Sequence, residues 1–215
     1  MTRKFCVGLS CCCAVLLSSR AGQCQTNIGF VSNVTWNAFA LYPDGNQGAS
    51  LGLAQCENWN AYGTDVSAIA GACWLWIPGV DANSPSDLQG GYFSKRFNLA
   101  GTPIGGYIQI AVDDFAEVLV NGSVVGTTGS ISDYNAAALG QSALVTFDIS
   151  PYLVGGFNTI TIKAQNGPSA FAGGRCGPCT YGGNQAGVVF GGTMQFDNTT
   201  SVKRATWSDL KAQYR

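Results

Sequence analysis

The chain has 215 residues, 11 Lys and Arg against 12 Asp and Glu, and no histidine, which removes every Ser-His-Asp or Cys-His mechanism and the commonest zinc ligand. Between Cys24 and Asp197 only Lys95, Arg96, Lys163 and Arg175 stand against eleven acidic side chains. A surface of that sign repels phosphate backbones and anionic lipid, so nucleic acid is excluded as a partner.

Arg3 and Lys4 precede an apolar run from Phe5 to Leu17, and small residues follow at Ser19 and Ala21. This pattern predicts a secretory signal peptide over residues 1–21, too short for a membrane span. The β-domain is then expected over 22–197. No later stretch has the length and apolarity of a membrane helix. Export implies an oxidising compartment, in which Cys56, Cys73, Cys176 and Cys179 are expected to form two disulfides. Four cysteines allow three connectivities, of which the two local pairs, Cys56–Cys73 and Cys176–Cys179, are favoured. Cys24 is left over, in an expected N-terminal arm.

From there the dominant hydrophobic period is two. Ile108, Ile110 and Val112 alternate with Tyr107, Gln109 and Ala111; Ala116, Val118 and Val120 form the next apolar row. Asn121-Gly122 is a strong signal for a two-residue hairpin turn, with Val124 and Val125 on the returning strand. Ala143, Val145 and Phe147 make a further row, as do Ile160, Ile162 and Ala164, and a last strand is expected over about 186–196. The Gly191-Gly192 pair in it predicts a bulge or a close approach of another backbone. No segment inside the domain has a convincing helical period. The expected fold is all-β, a two-sheet antiparallel sandwich, with two long loops at Asp81–Gly91 and Asn166–Gln185. Beyond Asp197 the composition turns basic. Residues 198–215 read as a linker and a short amphipathic helix carrying Trp207, Leu210 and Tyr214, suited to docking on an envelope or a partner.

The run Ile110-Ala-Val-Asp-Asp-Phe-Ala-Glu-Val-Leu-Val-Asn-Gly-Ser-Val-Val-Gly126 resembles the jelly-roll domains of the galactose-binding-domain-like superfamily, including the sugar-binding domains appended to glycoside hydrolases. Phe147-Asp148-Ile149-Ser150-Pro151-Tyr152-Leu153, then Gly156, Asn158, Ile160, Ile162 and Asn166, follow the same family pattern in order. Ala72–Pro78 and Tyr92–Leu99 look like the strand pair that opens such domains, so the resemblance covers roughly residues 70–196. It implies a jelly roll. The matching residues have structural work: a turn at Asn121-Gly122, and loop backbone bonded by Asp148 and Asn158. The family's ligand contacts lie in variable end loops, and none carries over residue by residue.

Several constellations bear on chemistry. Asp113-Asp114, with Glu117 nearby, is the one candidate pair for glycoside hydrolysis. Neighbours on an extended chain point to opposite faces, which favours a structural turn or a calcium role over catalysis. Cys176-Gly-Pro-Cys179 has the thioredoxin dithiol spacing but lies among glycines with no helix after it, so a loop-stapling disulfide is expected. Asp81, Asn83, Ser84 and Asp87 offer hard oxygens for a structural calcium ion, a feature the resemblance also implies, and no other cofactor is expected. Trp59, Trp74, Trp76, Tyr92 and Tyr134, with Asn135, are the candidates for stacking on and hydrogen-bonding to a sugar; Trp74 and Trp76 share a strand face that competes for the core. Asn33, Asn121 and Asn198 begin glycosylation sequons.

The expected function is a secreted, non-catalytic binding module at the cell surface, for carbohydrate or adhesion. The alternatives are a self-associating structural surface protein docked through its tail, and an accessory domain of a glycoside hydrolase system.

Overall fold

A computed structural model of the protein describes residues 25–57, 63–173 and 175–198. The expected signal peptide, Cys24, Trp59 and the expected tail beyond Asn198 lie outside the described residues.

Two antiparallel six-stranded sheets face each other. The first contains β1 (Gln25–Val31), β4 (Gln55–Glu57), β5 (Trp74–Trp76), β7 (Thr102–Asp113), β10 (Val145–Asp148) and β12 (Gly187–Asp197). Its order is β10-β7-β12-β5-β4, with β1 also pairing with β12. The second contains β2 (Asn37–Leu41), β3 (Gln47–Leu53), β6 (Gly90–Leu99), β8 (Phe115–Val120), β9 (Ser123–Gly129) and β11 (Gly156–Gln165), in the order β3-β2-β6-β11-β8-β9. The all-β two-sheet sandwich is therefore the observed fold.

The alternating rows become the core. Ile108, Ile110 and Val112 of β7 meet Val118, Val120, Ile160 and Ile162 of the opposite sheet, all fully buried. Removing side chains of this size from water contributes roughly 1.5–3 kcal/mol each, which is what holds the two sheets face to face. Trp36 packs edge-on against Phe190, with ring centroids 4.7 Å apart, and its indole N–H donates to the Val31 carbonyl at 2.9 Å. At the hairpin between β8 and β9, Asn121 and Gly122 have φ of 53° and 81°, the left-handed pair that a type I′ turn requires. The Asn121 amide also braces the neighbouring loop, donating to the Tyr152 carbonyl and to Asn158 Oδ1, each at 2.9 Å. Asp148 accepts the Ser150 N–H at 2.9 Å, and Asn158 is bonded at both amide ends to the Val154 backbone.

Gly192 is a close approach: a Cβ there would stand 2.1 Å from the Tyr107 carbonyl oxygen. The irregularity in the β12 ladder lies further on, between Gln195 and Phe196. Both expected disulfides are present, Cys56–Cys73 and Cys176–Cys179.

One element contradicts the sequence reading. An α-helix, α1, spans Tyr134–Ser142 between β9 and β10. Asp133 caps it, Oδ1 accepting the N–H groups of Asn135 at 2.9 Å and Ala136 at 3.3 Å. Gly140 lets the helix lie directly on β9, for a Cβ there would be 2.8 Å from Gly129 Cα. No helix among the described residues is long and apolar enough to cross a membrane.

Candidate functional site

The chain passes from one sheet to the other at Asp113-Asp114: β7 ends at Asp113 and β8, in the opposite sheet, begins at Phe115. The corner is tight because Gly129 comes against it with φ of 73°, where a Cβ would be only 1.8 Å from the Asp114 carbonyl oxygen. Two long loops flank the same end of the sandwich and clasp each other. Pro85 and Thr180 form an antiparallel bridge, the Ser86 N–H donates to the Cys179 carbonyl at 3.2 Å, and the Tyr181 N–H donates to the Ser84 carbonyl at 3.0 Å. Buried Asn166 donates its side-chain amide to the Ser86 carbonyl at 2.8 Å.

Between this clasp and α1 lies an open cleft of about 580 Å³, within the range of small-molecule sites. Asp113, Asp114, Tyr134, Gln141, Phe171, Arg175, Asn184 and Gln185 line it. Tyr134, at the first turn of α1, is 58% exposed and meets Phe171 edge to face at 5.8 Å, giving the cleft an apolar wall. Its polar base is the aspartate pair, 6% and 4% exposed. Asp113 Oδ1 accepts from the Gln141 amide at 3.2 Å, and Asp114 Oδ2 accepts the Gly167 N–H at 2.6 Å. Burial raises the Asp114 pKa above the ordinary carboxylate value; the hydrogen bond from the Gly167 N–H opposes that shift without cancelling it.

The sequence-predicted residues scatter. Tyr134 lies in the cleft. Asn135, one residue on, contributes its N–H to the helix cap and does not line the cleft. Trp76 is fully buried between Phe93 and Tyr181, with no face left for a ligand. Trp74 packs instead against a second cluster of Ile69, Ala111 and Val189, apart from the core cluster that holds Trp76. Tyr92 is 8% exposed, and its hydroxyl donates to the Gly45 carbonyl at 2.6 Å, closing the β2–β3 turn over it. Trp59 lies outside the described residues.

The calcium donors do not converge. Asp81 Oδ1 accepts the Asn83 N–H at 2.8 Å and the Ser84 hydroxyl at 3.2 Å, an ordinary Asx turn. Asp87 is committed to the clasp, accepting from the Ser169 hydroxyl and from the Cys179 N–H. Among the described residues no group of three or more acidic, cysteine or histidine side chains gathers as metal ligands would.

Asp113 and Asp114, expected on opposite faces, line one cleft; the peptide bond between them is cis. The alternation rule fails because the extended strand ends there. Gln141, Phe171, Arg175, Asn184 and Gln185 were not singled out by the sequence. Arg175 is one of only four basic residues between Cys24 and Asp197, which was the available signal.

No family model matches the sequence. No curated protein matches it. Among solved structures, the chain is similar to an FMN-binding β-glucuronidase from Facaelibacterium prausnitzii L2-6, at 20% identity and a TM-score of 0.43, covering 79% of this chain and 23% of that one. It is similar to a β-glucuronidase from Lactobacillus rhamnosus at 15% identity and a TM-score of 0.41, covering 80% and 29%. A Streptomyces avermitilis α-L-rhamnosidase matches at 20% identity and a TM-score of 0.40, covering 54% of this chain and 10% of that one. All three neighbours are glycoside hydrolases, and this chain spans less than a third of each. A likeness of this degree says nothing about activity.

Proposed function

We propose that this domain is a non-catalytic carbohydrate-binding module of an extracellular protein, with its ligand in the cleft between α1 and the 166–185 loop. The observation that carries the reading is the composition of that cleft: an aromatic pair, exposed Tyr134 and half-buried Phe171, beside Asp113, Asp114, Gln141, Asn184, Gln185 and Arg175. Aromatic rings cover the C–H face of a sugar, while carboxyl, amide and guanidinium groups are planar hydrogen-bonding partners for adjacent hydroxyls. Catalysis is disfavoured by the same geometry. Acid and nucleophile of a glycosidase face each other across the scissile bond, roughly 5–9 Å apart, whereas Asp113 and Asp114 are consecutive residues at one side of the cleft. Two disulfides suit an oxidising compartment.

A glycan-array screen of the oxidised full chain tests the proposal. A saturable hit that is lost in both Tyr134→Ala and Phe171→Ala supports it. Retention of the hit in both variants moves the site elsewhere, and a blank array with folded protein rejects the carbohydrate reading.

A further inference from the structure

Asn33, Val34, Thr35 and Trp36 form the turn that carries the chain from β1 to β2. The Trp36 N–H donates to the Asn33 carbonyl at 3.3 Å, and the fully buried Trp36 anchors the turn while Val34 and Thr35 stand in solvent. Asn33 Oδ1 accepts twice from Thr35, from its N–H at 3.0 Å and from its hydroxyl at 2.5 Å; Lys95 Nζ donates to the same hydroxyl at 2.7 Å. The amide oxygen is thus committed, whereas Asn33 Nδ2 makes no hydrogen bond among the described residues. Resting on the extracellular part of the proposed function, we infer that Asn33 carries an N-linked glycan, and that the sequons at Asn121 and Asn198 stay unmodified in the folded protein.

The step takes an oligosaccharide from a lipid-linked diphosphate donor. The donor's C1–O bond breaks, a C1–Nδ2 bond forms, one amide hydrogen leaves as a proton to the transferase's base, and the lipid diphosphate departs. Transfer acts on the chain as it enters the secretory compartment, so the fold decides which glycosylated chain can reach the native state. At Asn33 the sugar replaces a hydrogen that makes no bond. The side chain there borders an open hollow of about 360 Å³ shared with Ile69, Phe97, Tyr107 and Gln109, which leaves room beside the nitrogen. None of the residues lining this hollow lines the cleft beside α1, so the glycan starts outside the cleft. Asn121 is the opposite case. An amide nitrogen has two hydrogens, and those of Asn121 go to the Tyr152 carbonyl and to Asn158 Oδ1, each at 2.9 Å, while its Oδ1 accepts the Thr159 N–H at 2.9 Å. A sugar on that nitrogen removes one of the bonds that brace the hairpin. Asn198 donates from Nδ2 to Thr26 Oγ1, and its buried Oδ1 packs so near Gly101 that a Cβ there would stand 2.5 Å away. A sugar on that amide would have to enter a filled contact.

The experiment expresses the full chain, with its own N-terminus, in cultured mammalian cells and collects the folded protein from the medium. An N-glycan amidase in heavy-oxygen water converts each glycosylated asparagine to a labelled aspartate, which peptide mass spectrometry locates. Label at Asn33, with Asn121 and Asn198 recovered as unlabelled asparagine, supports the inference. Thr35→Ala is expected to abolish the label and Thr35→Ser, which keeps the hydroxyl, to retain it; the native protein alone decides the matter if either variant fails to fold. Secreted protein without label at Asn33, or with label at Asn121 or Asn198, overturns the inference and leaves the extracellular reading in place. Protein that stays in the cytosol with residues 1–21 still attached overturns both.

Discussion

The backbone N–H of Gly167 points at Asp114 Oδ2 from 2.6 Å, joining the loop after β11 to the corner where the chain changes sheets. Only glycine fits this contact: a Cβ would stand 2.5 Å from Phe171 Cδ2 and 2.6 Å from that carboxylate oxygen. Gly167→Ala is therefore expected to displace both the acidic base and the aromatic wall of the cleft. Overpacking of this kind costs about 1–3 kcal/mol. Denaturant melts check the stability loss, and the array signal is expected to vanish at temperatures where the variant is still folded.

Asp114 also sets a pH dependence of stability. Its folded pKa is raised by burial, so the protonated form is favoured in the native state. Its contribution to stability is full below the unfolded aspartate pKa and is lost as pH rises through the raised folded value. Asp114→Asn keeps an acceptor for Gly167 and carries no charge. It is expected to melt above the native protein at about pH 8 and to lose that advantage toward about pH 4, where aspartate is itself protonated. A lower melting temperature for the variant at alkaline pH would refute this.

The two disulfides are expected to do different jobs. Cys56 and Cys73 are 17 residues apart, and closing a loop of that size is worth roughly 3 kcal/mol in the chain-entropy model. Cys176 and Cys179 are 3 apart, so the same model gives that bond less, about 2 kcal/mol. Yet Gly183, a cleft residue, packs so closely on Cys176 that a Cβ would be 2.9 Å from Sγ. Replacing Cys176 and Cys179 by serine is predicted to weaken sugar binding more than it lowers the melting temperature. Replacing Cys56 and Cys73 is predicted to do the reverse.

The cap of α1 gives a further test. Asp133→Ala removes the acceptor for two helix N–H groups, a loss of about 1 kcal/mol. In a domain of this size that lowers the melting temperature by roughly 2–4 °C. Because α1 carries Tyr134 and Gln141, binding is expected to fall as well, with Asp133→Asn restoring both. Calorimetry and the array read the two effects separately.

Periodicity made the sheets legible and the site only partly so. Rows such as Ile108-Ile110-Val112 and Ile160-Ile162-Ala164 have one burial solution in a two-sheet fold, and they took it. Helix α1 escaped because it buries only Ala137 and Gly140, so it has almost no apolar stripe to show a 3.6-residue period. Its readable signal was local: an aspartate cap before an alanine run. The aromatic candidates divided on tertiary grounds. Trp76 and Tyr134 both sit among plausible neighbours in sequence, but only the fold decides that Phe93 and Tyr181 cover the first while the second faces solvent. The aspartate pair was misjudged because alternation presumes a continuing strand, and the chain there leaves one sheet for the other.

The clasp between the 81–91 and 166–185 loops bears on how the protein meets proteases. A twenty-residue segment rich in glycine is ordinarily the first place a chain is cut, because its backbone can be drawn extended into an enzyme's groove. Here Ser86, Tyr181 and Gly182 each give an N–H to a carbonyl of the opposite loop, and a disulfide ties the segment between them. Cleavage within 176–183 requires several of these bonds to open together. This end of the sandwich thus gains resistance to cutting from the same stitching that shapes it.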